Sequence, residues 1–281
     1  MQLGIMQGRL SPARARLQSF PWESWQAEFD RARFHGFDLI EWVFDAVRYD
    51  ENPIWTEAGL AQIRERMRGT GVSVETICAD YFLQHPLLRA AQAERDHHIE
   101  VLNALITRAS QLGARVVVIP ALEVGEIQNV EEQGVLLECL RRPLTLARAV
   151  GIELAVESNM PADRYLQFIT QAGQPALGIC FDTGNRTALG TDIVSDIGRL
   201  APYVWEVHIK DRLLDGPNVP LGEGAAPFDK FFSRLAASGY SGPLILETTV
   251  RDDYEYNAKR NLQFVRSRLR QAGRKTLQAD V

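Results

Sequence analysis

Residues 152–158 read IELAVES, 176–183 read ALGICFDT, 204–211 read VWEVHIKD and 244–249 read LILETT. Each is a short apolar run that ends in an acid or an imidazole: Glu157, Asp182, His208 and Glu247. Runs of this length and composition, bounded by turn residues, are strands. Side chains alternate between the two faces of a strand. Glu157, Ala155 and Glu153 therefore share one face, and Val156 and Leu154 take the other. Asp182 lies with Cys180 and Gly178, His208 with Lys210, and Glu247 with Ile245. In each run the polar terminus opposes the bulky neighbours that would pack on helices.

Working outward, the same alternation fills the chain. Strands are predicted at Leu3–Met6, Phe37–Trp42, Val72–Cys78, Arg115–Ile119, Ile152–Glu157, Ala176–Asp182, Val204–Lys210 and Leu244–Thr248. Helical patterns fall near 22–35, 56–69, 90–112, 130–149, 161–172, 191–200, 227–238 and 253–271. Strict alternation of β and α implies a parallel sheet, and eight units close a (β/α)8 TIM barrel, whose active site lies at the C-terminal strand ends. Gly36, Gly71, Gly113, Gly151 and Gly239 fit helix C-terminal positions that need positive φ, and Thr56 fits a helix start. No linker, charge block or low-complexity tract divides the chain. We expect one α/β domain over residues 1–281, with a frayed tail from 272. The intervals between the four polar ends fit one βα unit each, except that Asp211–Pro227 adds a loop before the last strand.

At 281 residues, 46% hydrophobic and 24% charged, the chain can bury a substantial core. Its 31 Lys+Arg against 36 Asp+Glu disfavour a nucleic-acid backbone as the main partner. Cys78, Cys139 and Cys180 are widely spaced in apolar sequence and read as buried thiols. The start, MQLGIMQGRL, lacks a signal-peptide pattern, and no segment approaches a membrane span, so a cytoplasmic protein is expected.

Alone, each strand-end residue reads equally as a cap or a surface ion-pair partner. Together they suit one divalent cation, Mn²⁺, Mg²⁺, Co²⁺ or Zn²⁺. A cation that chelates a carbonyl and its adjacent hydroxyl acidifies the neighbouring C–H by stabilising an enediolate. Two carboxylates on opposite faces of the substrate can then remove and return that proton.

The pieces LGIMQGRLSP, ELAVES, FDTGN, VHIKD, VPLGEG and LILET resemble the xylose-isomerase-like TIM-barrel superfamily of sugar and sugar-phosphate isomerases and epimerases. The resemblance spans nearly the whole chain, and VHIKD with VPLGEG is similar to the sugar-phosphate 3-epimerase branch. It implies that Glu157, Asp182, His208 and Glu247 bind one divalent metal, with Glu157 and Glu247 as the acid/base pair. It implies a small sugar or sugar phosphate as partner, without nucleic acid or membrane, and leaves a homo-oligomer open. Where the ketose 3-epimerases carry a histidine after the sixth-strand aspartate, this chain has Gly184, Asn185 and Arg186. Asn185 can still hydrogen-bond a hydroxyl, but it is no acid near neutral pH. Arg212 is the nearest candidate for their substrate-binding arginine.

Further substrate contacts are expected from Glu41, which ends the second strand and reads otherwise as a supporting group or a cap. Lys210 binds a substrate oxygen or phosphate, or pairs with Asp211. Glu223 lies in the VPLGEG loop, where Gly222 and Gly224 could bring a backbone N–H to a substrate oxygen. Gln7 and Arg9 follow the first strand and could line the mouth. Trp42, Trp55, Tyr81 and Phe82 suit either a sugar-facing wall or the core. His97 and His98 read as a solvated helix face. The pattern points to a metal-dependent ketose or ketose-phosphate epimerase or isomerase. A keto-polyol dehydratase, as among the inosose dehydratases of the superfamily, would use the same apparatus. An abasic-site endonuclease, which needs several histidines, and a non-catalytic carbohydrate-binding barrel fit less well.

Overall fold

The computed structural model describes residues 1–12, 18–249 and 253–279. Its strands are β1 (Leu3–Met6), β2 (Leu39–Val43), β3 (Thr76–Cys78), β4 (Val116–Ala121), β5 (Glu153–Ser158), β6 (Leu177–Asp182), β7 (Val204–Ile209), the short β8 (Asp211–Arg212) and β9 (Asn218–Val219), and β10 (Leu244–Leu246). Helices are α1 (Trp25–His35), α2 (Glu57–Thr70), α3 (Tyr81–Gln84), α4 (Gln92–Leu112), α5 (Val130–Val150), α6 (Ala162–Ala172), α7 (Thr183–Ala188), α8 (Ile193–Leu200), α9 (Phe228–Ala237) and α10 (Tyr254–Ala279). Parallel pairing in the order β1-β10-β7-β6-β5-β4-β3-β2 closes the expected TIM barrel. β8 and β9 form a separate antiparallel ribbon within the loop that the spacing had required.

The two faces of each strand separate two cores. Ala155, Cys180, Val116, Val118 and Ile245 point inward and fill the lower barrel, while Leu154, Val156, Ile179 and Val207 pack under the helices. Inside, Gly178 makes room for Trp205, because a Cβ there would fall 2.1 Å from the indole nitrogen. The five glycines expected at helix ends all have positive φ, and the Thr56 side chain accepts from Gly59 N at 3.0 Å to open α2. No helix among the described residues is long and apolar enough to cross a membrane.

Helix α10 packs on the barrel through Leu262, Val265 and Ala272, which are buried along it. One expectation changes. His98 is buried and pairs with the Tyr81 hydroxyl at 3.0 Å, whereas His97 is exposed. The polar run that suggested a solvated face therefore turns one imidazole into the packing of α3 on α4.

The loop after β7 is organised by one carboxylate. Asp211, 1% exposed, accepts from the backbone N–H groups of Gly222, Gly224 and Ala226 at 2.9, 3.0 and 3.2 Å. Hydrogen bonds to a charged acceptor are stronger than neutral ones, and orphaned buried donors are costly. Asp211→Ala is therefore expected to destabilise the fold by about 3 kcal/mol. Denaturant unfolding checks this, and an unchanged midpoint would show that the loop does not depend on the carboxylate.

Candidate metal centre at the barrel mouth

Strand closure brings the four polar ends together. His208 Nδ1 lies 3.0 Å from Glu247 Oε2 and 3.8 Å from Glu157 Oε2. Ligand atoms of Asp182, His208 and Glu247 all fall within 4.8 Å of one another. All four side chains are buried. Although Nδ1 and Glu247 Oε2 are close, neither makes a hydrogen bond of acceptable geometry among the described residues, and Asp182 Oδ2 is likewise without one. Donor atoms that converge without bonding one another are what a cation-binding ring requires.

Local structure aims each of these atoms. Asp182 Oδ1 caps α7 by accepting from Asn185 N at 2.7 Å, which leaves Oδ2 directed into the centre. His208 is fixed from below. Its Nε2 lies 3.0 Å from Glu206 Oε1 and 3.2 Å from Glu41 Oε2, and all three side chains have no exposure. With Nε2–H donated to a carboxylate, Nδ1 is the nitrogen whose lone pair can face an ion. Glu41 thus acts at the histidine, as a supporting group. It does not line the cavity. Glu206 is a site residue that the sequence did not single out.

Lys210 and Arg9 bring positive charge to the centre. Lys210 Nζ sits 2.9 Å from Asp182 Oδ2 and 2.7 Å from Glu247 Oε1, so it serves the centre and not Asp211. Its stem passes over Gly184, where a Cβ would meet Lys210 Cγ at 2.7 Å. Thr183 Oγ1 donates to Lys210 O at 2.7 Å and accepts from Lys210 N at 2.9 Å. The DTG triplet is therefore a seat for this lysine. Arg9 approaches Glu247 Oε1 at 3.9 Å. Glu28 positions the Arg9 loop by accepting from Gly8 N at 3.0 Å and Ser11 Oγ at 2.7 Å.

These fields separate the two glutamates. Burial pushes the Glu157 carboxyl up to about 8, opposed by His208 and reinforced by Asp182 and Glu247. Burial also acts to raise Glu247, but Lys210, His208 and Arg9 outweigh it and hold that group below the ordinary glutamate value. At His208, burial disfavours the charge, yet Cys180, Glu41 and Glu206 raise its pKa well above the usual value. Asp80, raised by burial and then by Glu247, reaches about 7. Six carboxyl groups, Glu41, Asp80, Glu157, Asp182, Glu206 and Glu247, are thus buried, and among the described residues Arg9, Lys210 and His208 stand against them. A divalent cation fits both this excess and the ligand set of one nitrogen and three carboxylates.

The centre opens into a cavity of about 1020 Å³ lined by Glu157, Glu247, Lys210, Asn185 and Arg212 among others. Asn185 Nδ2 donates to Glu157 Oε1 at 2.9 Å, and Arg212 donates to Asn185 Oδ1 at 3.2 Å. Six residues offered as candidates for the mouth lie elsewhere. Glu223 is half exposed and pairs with Arg260 at 2.9 Å, because Asp211 takes the N–H groups of Gly222 and Gly224 and turns the loop toward α10. Those two N–H groups are accordingly not offered to a ligand. Gln7 is buried, its Oε1 accepting from Val43 N at 3.1 Å. Trp42, Tyr81 and Phe82 belong to the outer core and Trp55 packs against it, so none of them walls the cavity.

The sequence profile of the xylose isomerase-like TIM barrel matches residues 29–268. The chain belongs to that family. It shares 24% identity over 261 residues with L-ribulose-5-phosphate 3-epimerase UlaE of Shigella flexneri serotype 5b, covering 89% of this chain and 92% of that protein. Among solved structures, L-ribulose 3-epimerase superposes with a TM-score of 0.79 at 22% identity, covering 100% of this chain and 98% of that one. IolI protein with a bound zinc atom gives 0.75 at 17% identity, covering 97% and 98%. The family is therefore that of sugar isomerases and epimerases, with distant homology to ketose 3-epimerases, as the motifs implied.

Proposed function

We propose that the protein is a divalent-metal-dependent epimerase or isomerase of a ketose or ketose phosphate, which moves a proton at the carbon next to the carbonyl. The observation that carries this reading is the placement of Glu157 and Glu247. They reach the same imidazole nitrogen, at 3.8 and 3.0 Å, from strands on opposite sides of β7. The zinc atom in IolI protein and the activities named for UlaE and L-ribulose 3-epimerase support it. An ion held by Glu157, Asp182, His208 and Glu247 would polarise the carbonyl and adjacent hydroxyl of a ketose and acidify the neighbouring C–H.

The protein's own groups supply the proton transfer. Glu247, kept ionised by Lys210, His208 and Arg9, is suited to take the proton on its side. Glu157, the more easily protonated of the two, is suited to deliver one on the other. Asn185, Lys210 and Arg212 line the cavity beside them and offer N–H donors to substrate oxygens.

Metal-loaded protein incubated in D₂O with a panel of ketoses and ketose phosphates is expected to place deuterium at the carbon next to the carbonyl. Appearance of a conjugated carbonyl would assign the same centre to a keto-polyol dehydratase. Absence of both exchange and product across the whole panel would overturn the assignment.

A further inference from the structure

We infer that the substrate is an unphosphorylated ketose and that Asp80 receives one of its hydroxyl groups, which rests on the reading of the centre given above. Asp80 follows β3 and lines the same cavity as Glu157 and Glu247. It is 3% exposed. Its Oδ1 accepts only from the Cys78 thiol, at 3.3 Å, and its Oδ2 has no hydrogen-bond partner among the described residues. The helix that follows does not explain the side chain, because Asp80 precedes α3 without capping it. A thiol is a weak donor. A buried carboxylate so poorly supplied is costly to the free protein, and a ligand hydroxyl would provide the missing donor.

The rest of the lining points the same way. Beyond the metal centre, the described lining adds the carboxylates of Glu123 and Asp215 to Asp80, with Lys210 and Arg212 as its cations. The Lys210 ammonium is held between Asp182 and Glu247. Arg212 directs Nε and one terminal nitrogen to Gly216 O, at 3.1 and 2.9 Å, and another to Asn185. Among the described residues, a phosphate dianion entering here meets more carboxylate than free cation. Polyol hydroxyls, by contrast, are donors that carboxylates accept.

The test compares kcat/KM for ketopentoses and ketohexoses with that for their terminal phosphates, read by deuterium exchange with metal-loaded wild type, Asp80→Ala and Asp80→Asn. Wild type should favour the free sugars at least tenfold, the order expected for one charged contact. Asp80→Ala should lose about 10- to 100-fold on the free sugars, mainly through KM, as expected for a charged hydrogen bond. Its discrimination against phosphates should narrow and its Tm should not fall. Asp80→Asn, which keeps an acceptor oxygen, should lie between. A wild-type preference for the phosphates overturns the inference while leaving the epimerase reading intact. Unchanged kcat/KM and unchanged discrimination in both variants overturn it as well. Absence of exchange with every sugar defeats the reading of the centre, and this inference with it.

Discussion

Glu157→Gln and Glu247→Gln should each lose about 10²- to 10⁴-fold in turnover, the usual loss when a general acid or base is removed. Glutamine keeps an oxygen that can still approach an ion, so the loss reports mainly on the base. The two variants should not fail alike. Glu247 is surrounded by Lys210, Arg9 and His208, whereas the nearest donor to Glu157 is the neutral Asn185. Each glutamate serves one face of the substrate, so each variant should block deuterium exchange more severely in one of the two epimers. Exchange in D₂O measured from both directions separates these losses. A Glu157→Gln variant with near-normal activity, giving product without solvent deuterium, would exclude proton transfer by this pair.

The four strand ends were legible because two simple periodicities coincide there. A strand places every second residue on one face, and a polar residue that closes an apolar run sits at the rim. The second condition, that the polar residue closes the run, leaves out Glu206. Two residues before His208, Glu206 shares its face, but it lies inside the run and does not close it, so a reading of strand ends passes it by. Asp80 was hidden differently, since CADYF reads as a strand end followed by a helix start, and the aspartate passes for a cap it does not make. Helix α7, only Thr183–Ala188, is too short to show a period, so the helix that Asp182 caps was not visible. Glu223 was misplaced because closeness in sequence to a glycine loop says nothing of direction. The direction is set by Asp211, whose hydrogen bonds exist only once the loop is folded.

The buried charge explains why these features belong together. A centre with six carboxyl groups and few cations is unfavourable to fold around unless a further positive charge arrives. Lys210, Arg9 and His208 supply part of it, and each is seated by a device elsewhere in the chain: Thr183 and Gly184 for the lysine, Glu28 for the arginine loop, Glu206 and Glu41 for the imidazole. Removing any of these seats should act on the centre through the group it holds.

Metal affinity is where that dependence should be largest. His208→Ala and Asp182→Ala each remove one of four proposed ligands and are expected to abolish stoichiometric binding at micromolar metal, measured by calorimetry and elemental analysis. Glu206→Gln keeps the ligands but changes the partner of His208 Nε2. Supporting contacts of this kind typically contribute 10- to 100-fold, so a drop of about that size is expected. Binding should also release a proton. Without the ion the surrounding carboxylates favour the imidazolium, and ligation requires Nδ1 free, so affinity should rise with pH until the imidazole is already neutral. Because an ion bound only by the native state stabilises it, a chelator should lower Tm. At a metal concentration of 100 Kd the difference is about 2.7 kcal/mol. Retention of stoichiometric metal with unchanged affinity in both His208→Ala and Asp182→Ala would show that these strand ends do not hold the ion. Loss in Glu206→Gln comparable to loss in His208→Ala would show that the imidazole binds only when Glu206 orients it.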